Sequence, residues 1–199
     1  MNSLHSMRIY KRIAGLLVAA WVGMLVMPLA AMAVKPWQML EGCRLVDCYN
    51  NDGDSFRVGW GEDEMTLRIY FADTPEVSLR YWDRIQAQAD YFGVTPEQVL
   101  EVGKMAREFT QQVLRDGFNV QTRWQGVFGG ANAVRQYGIV IVDGDDLVDL
   151  LVANGLARIH GQGIGGQTRE KIQRLRALEA ESKAAGRGAW GMGADDEEG

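Results

Sequence analysis

Two short acidic segments of this 199-residue chain hold the residue types that phosphate chemistry needs. The first is Asp52-Gly53-Asp54-Ser55; the second is Arg68-Ile69-Tyr70-Phe71-Ala72-Asp73-Thr74-Pro75-Glu76. Together they offer hard oxygen ligands for a cation, a guanidinium that can grip a phosphate through two N–H groups, and a spare carboxylate. Each residue taken singly has a plainer reading. An Asp-Gly-Asp run is a common solvated turn, and a lone strand arginine is most often a surface ion-pair partner. Only the combination points to cleavage of a phosphodiester.

These residues need elements that hold them still. Asn51, Asp52 and Gly53 tolerate left-handed backbone and predict a tight turn opening into a strand over Ser55–Trp60. Over 65–72, Leu67, Ile69 and Phe71 alternate with Thr66, Arg68 and Tyr70, the period of a strand with two unlike faces. Pro75 lacks an amide proton, so the ladder stops there and Glu76 falls in a loop. Further strand patterns lie at 44–46, 119–124 and 137–142. Thr95-Pro96-Glu97-Gln98 predicts a helix start, with a hydroxyl cap, proline at the first position and glutamine three residues after the cap. Val99, Val102, Ala106, Phe109 and Val113 continue it at helical spacing to Gly117, with Gly103 as a candidate break. A short helix over Leu147–Ala153 and a last one over 168–185 complete the pattern. The pattern alone is that of one α+β domain, with a barrel as one option among several.

The first 33 residues read as a targeting segment. Arg8, Lys11 and Arg12 precede an apolar run from Ile13 to Met27, Pro28 breaks it, and Ala31-Met32-Ala33 is a small-x-small cleavage signal. A retained anchor is the alternative, since the apolar stretch carried on to Ala33 approaches spanning length. Cleavage fits better, and export to a periplasm or the medium follows, with no stable membrane association afterwards. The remaining domain is expected over 34–193, followed by a disordered acidic tail, 194–199. The segment holds three of the 21 basic residues and none of the 26 acidic ones, so the net charge of −5 becomes −8 without it. A polyanion would then be held locally by a few arginines and a cation, with salt-sensitive affinity. Cys43 and Cys48 leave a bridge and two free thiols both open. A sulfur-bound zinc is disfavoured, because His160 is the only histidine after the leader.

The two acidic segments resemble the signature of the staphylococcal nuclease (thermonuclease) family, DGD(T/S) followed by R-x-x-x-x-D-T-P-E, with the family's internal spacing. The resemblance runs from about Cys43 to Trp190. It implies a five-stranded OB-type β-barrel with about three packed helices. It also implies one Ca2+ held by Asp54, Asp73 and the Thr74 main-chain oxygen, with Asp52 behind them. Arg68 would be the first catalytic arginine. Arg135 would be the second, placed by its distance to the Asp143-Gly144 turn, and Glu76 the carboxylate that activates or orients water. The implied activity is sugar-nonspecific endonucleolytic hydrolysis of DNA and RNA by an exported, Ca2+-dependent monomer. A non-catalytic OB-type module binding nucleic acid or protein is the chief alternative, and a phosphatase or phosphodiesterase acting on small nucleotides a more distant one.

The chain departs from the archetype in three places. Asn132-Ala133-Val134 stands where the archetype has Lys-Tyr-Gly, and Gly161 and Gly163 replace its two pocket tyrosines. The stretch between Glu76 and Gly103 is longer and holds Tyr81, Trp82, Tyr91 and Phe92, for which local packing, base stacking and a dimer contact are all open. His160 is expected to pack at a strand end, and the glycine-rich run 161–166 to form a loop.

Overall fold

A computed structural model describes residues 35–128, 134–161 and 168–193. The leader, Asn132-Ala133, the tail and most of the run 161–166 lie outside the described residues. Among those described, no helix is long and apolar enough to cross a membrane.

Five strands close into a barrel: β1 (Gln38–Leu45), β2 (Ser55–Trp60), β3 (Asp63–Ile69), β5 (Phe118–Phe128) and β6 (Val134–Val142). Neighbours run antiparallel except for β3 and β6, whose parallel pairing closes the ring. The α+β class and the five-stranded barrel are those expected. Inside lie Phe56, Val58, Leu67, Val120 and Val140, all 1% exposed or less. Two short strands pair outside the ring: β4 (Ala72–Asp73) sets Ala72 against Ile159 and Asp73 against Arg158 of β8 (Arg158–Ile159). The two-residue β7 (Asp145–Asp146) turns back on β6.

The strands differ from expectation where the backbone departs from a plain ladder. The expected strand over 65–72 ends at Ile69, because Phe71 is left-handed at φ 64°, and β4 then starts in a new direction. This reversal hides Tyr70, Phe71 and Ala72 together, which an alternating strand could not do. β1 begins at Gln38 and carries a bulge between Leu40 and Cys43, which breaks its alternation and disguises it in the sequence. β5 likewise runs on to Phe128 through an irregularity at Trp124, φ 55°.

The helices outnumber the three expected. A 3-10 turn (Leu79–Tyr81) leads into α1 (Trp82–Phe92), which occupies the long stretch after Glu76. Its Ile85 and Ala89 pack with Val99 of the next helix, α2 (Pro96–Val113). Thr95 and Gln98 form a reciprocal cap at the start of α2, as their spacing predicts. Gly103 does not break α2. A Cβ there would sit 2.3 Å from the Glu76 carbonyl oxygen, so the glycine lets the helix lie directly on the Pro75-Glu76 backbone. α3 (Leu147–Ala153) is capped by Asp146 and joined to α4 (Thr168–Ala184) by Lys171 and Arg174 on Asp149. The one-turn α5 (Ala189–Met192) sets Trp190 against Tyr91 and Phe92. Those two aromatics of the long stretch are therefore local packing. Cys43 and Cys48 are free thiols, donating to the Leu40 carbonyl and the Asn50 side chain.

Candidate active site

The turn before β2 is shaped by its own side chains. Asp52 accepts from the backbone N–H groups of Asp54 and Ser55, at 3.2 and 2.7 Å, and Asn51 ties the turn to Val46 and Arg57. Gly53 is required there: a Cβ would meet the Thr74 methyl at 2.8 Å and Ala106 at 3.1 Å. Asp54 is thereby pressed against the loop after β4, where its carboxylate accepts the Thr74 N–H at 2.7 Å. Pairing of Ser55 with Arg68 across β2 and β3 brings the two acidic segments side by side.

Arg68 lies between the buried carboxylates. Its Nη1 donates to Asp54 at 2.5 Å, and its Nη2 to Asp73 at 3.0 Å and the Ala72 carbonyl at 3.2 Å. Asp54 and Asp73 are only 1% and 2% exposed. Burial pushes the Asp54 carboxyl well up, against the pull of Arg68. Burial acts the same way on Asp73, but Arg68, Arg84, Gln88 and Arg158 outweigh it and hold that carboxyl at about 2. For Arg68, the charges of Asp54, Asp73 and Asp52 outweigh burial and raise the guanidinium further.

Three residues around Asp73 have no counterpart in the sequence reading. Arg158 donates to Asp73 Oδ2 at 2.8 Å and to the Ala87 carbonyl. From the long stretch, Arg84 bridges Asp73 Oδ1 and Glu76 Oε1, both at 2.8 Å. Gln88, one turn further along α1 and fully buried, donates to Asp73 and the Thr74 carbonyl and accepts the Glu76 N–H at 3.0 Å. Arg84 and Gln88 stand four apart, the spacing of one helix face, and Arg158 opens a two-residue strand. Those were the available signals. Knowing what they faced required the fold.

A hollow of about 370 Å³ opens above this layer, with walls that include Asp52, Arg68, Glu76, Arg84, Arg107 and Arg135. Arg135 reaches it because parallel closure of the barrel sets it beside Thr66 on β3. Its Nη1 donates to Ser55 Oγ at 3.2 Å, and its Nε has no partner among the described residues. Glu76 is pushed upward by burial, with Arg84 opposing. Five of the six expected side chains or backbone groups therefore sit around one buried cluster, and Arg135 meets two of them, Arg68 and Glu76, at the hollow. His160 is exposed, not packed, although its N–H donates to the Phe71 carbonyl at 2.9 Å.

The donors suit a hard cation in type. Asp54, Asp73 and the Thr74 carbonyl are all oxygen ligands and share hydrogen-bond partners. No three acidic, His or Cys side chains converge among the described residues, so such an ion would rest on two carboxylates and a carbonyl. Each of these oxygens also accepts hydrogen bonds. Arg68 and Arg158 are 13% and 12% exposed and anchored on carbonyls, whereas Arg84 is 45% exposed and its ion pairs among the described residues are with Asp73 and Glu76. Arg84 is thus the partner that can give way to an ion.

The closed five-stranded barrel carries buried carboxylates, bound guanidiniums and an open hollow beside them. A profile described as Staphylococcal nuclease homologue matches residues 66–192, and the chain belongs to that family. The match includes Arg68, Asp73, Thr74, Glu76, Arg135 and Arg158; the turn bearing Asp54 precedes it. Comparison with curated proteins finds no match.

Proposed function

We propose that the protein is an exported, Ca2+-dependent endonuclease that hydrolyses phosphodiester bonds of DNA and RNA with little regard for the sugar. The observation that carries this reading is a single hollow faced by Arg68, Arg135 and Glu76 over the buried Asp54–Asp73 pair. In this proposal residues 1–33 are the leader, 34–193 the nuclease domain and 194–199 an acidic tail, and the protein works as a monomer.

Arg135 has only Ser55 as a described partner, so its guanidinium is free to grip two phosphoryl oxygens. Arg68 is fixed by two carboxylates and presents a charge that need not reorganise as negative charge grows on phosphorus. Glu76 has its backbone N–H fixed by Gln88 and its carboxyl raised by burial, which makes it a stronger base toward a water at the hollow. Asp54, Asp73 and the Thr74 carbonyl would hold Ca2+, which supplies charge for the phosphate oxygens when bound.

The test is purified protein incubated with plasmid DNA, RNA and nucleotide monoesters, with Ca2+ and with chelator. Ca2+-dependent nicking of both polymers is expected. Arg135→Ala should lower it by roughly two powers of ten with the thermal midpoint kept, as for loss of a transition-state guanidinium. Monoester hydrolysis alone, or no hydrolysis, would reject the reading.

A further inference from the structure

The long stretch between Glu76 and Gly103 splits into two kinds of aromatic. Tyr91 and Phe92 are packed against Trp190. Tyr81 and Trp82, at the start of α1, are 42% and 50% exposed, and Leu79 beside them is 61% exposed. Single exposed apolar residues need no explanation, but three within four positions form a patch.

The patch lies at the site. Tyr81 belongs to the wall of the hollow that holds Arg68, Glu76 and Arg135. A second hollow is lined by Arg80, Tyr81, Trp82, Asp83 and Arg84, so Arg80, Tyr81 and Arg84 border both. The guanidinium carbons of Arg80 and Arg84 each lie 5.9 Å from the Tyr81 ring centre. Arg84 at the same time holds Asp73 and Glu76. One guanidinium therefore separates the aromatic ring from the carboxylates of the proposed active site.

We propose that Tyr81 and Trp82 form a stacking platform for an unpaired nucleobase of the substrate strand, next to the phosphate at the hollow. The proposal rests on the nuclease reading. Arginines beside exposed rings match a strand that alternates anionic phosphates with flat apolar bases, and such stacking tolerates any base. A base must leave its duplex to lie on a ring, so the platform makes single strands the better substrate.

The test measures binding and cleavage separately in the wild type, Tyr81→Ala, Trp82→Ala and the double variant. The probes are a phosphorothioate single-stranded DNA, the same strand with an abasic nucleotide placed at each position in turn, and its duplex. Wild type should bind the intact strand roughly ten-fold or more tightly than the double variant, in line with the loss of base stacking. One abasic position should abolish that difference, and Trp82→Tyr should retain it. KM should rise more than kcat falls, and the thermal midpoint should stay put because both rings are exposed. Equal binding by wild type and double variant, or a duplex bound as well as a single strand, would overturn the platform while leaving the nuclease reading intact. Absence of any nucleic-acid binding or cleavage by the wild type would reject both.

Discussion

Arg68 and Arg135 are held differently, although the family resemblance gives both a catalytic role. Arg68 pairs with two carboxylates that are almost wholly buried; removing it leaves Asp73 with Arg84 and Arg158 but takes from Asp54 its ion-pair partner among the described residues. Breaking a buried ion pair from one side costs ~3–5 kcal/mol. Arg68→Ala should therefore lose structure as well as activity, in contrast to Arg135→Ala. Equal thermal midpoints for the two variants would contradict this division. Arg84 is the third case. At the proposed Ca2+ site it would compete with the cation for Asp73, so Arg84→Ala should lower the Ca2+ concentration needed for half-maximal terbium displacement or thermal stabilisation. An unchanged or raised requirement would show that Arg84 does not oppose the ion. Asp54→Asn should act in the other direction and raise that requirement, since it would weaken one of the two charged ligands of the proposed ion.

At the scale of elements, the sequence was most legible where one element makes its own pattern. Ser55–Trp60, the capped start of α2, and Leu147–Ala153 are local, and their signals survive in the structure. All the expected strands but Ser55–Trp60 were mis-bounded; for β3 and β1 the cause is a left-handed Phe71 and a bulge near Gly42 that reset the alternation, which no period count can foresee. The motif residues Asp54, Arg68, Asp73, Thr74 and Glu76 could be picked out because they are consecutive or nearly so. Arg84, Gln88 and Arg158 could not, because their meaning comes from facing Asp73 across the fold. Gly103 shows the same limit with a testable sign. Helix propensity alone says that Gly103→Ala should stabilise α2, by up to ~1 kcal/mol. The approach to the Glu76 carbonyl says the reverse: the added methyl must push the helix off the loop that carries Glu76. We expect a lower thermal midpoint and reduced cleavage from Gly103→Ala, and a rise in either would mean that the contact gives way without cost.

Across the whole molecule, the site depends on helices that are not part of the barrel. α1 brings Arg84 and Gln88 to Asp73, and α1 is held from behind by Trp190 of α5 and by Tyr91, whose hydroxyl donates to Glu179 of α4. Tyr91 also accepts the Ile159 N–H next to Arg158, so one phenol links α1, α4 and the short strand that carries the third guanidinium. Burial first, and then the hydrogen bond to Glu179, push this phenol up to about 12. Its folded value thus lies above the ordinary value near 10. The neutral phenol is favoured by the folded state, so its contribution to stability is complete below about pH 10 and is lost as the pH rises toward 12. Other groups titrate in that window, and the comparison must therefore be differential. Tyr91→Phe should be less stable than wild type at neutral pH, and the gap between them should narrow from pH 10 to 12 in thermal melts. A gap that stays constant across that range would show that Tyr91 does not bind α1 to α4 through a protonated hydroxyl.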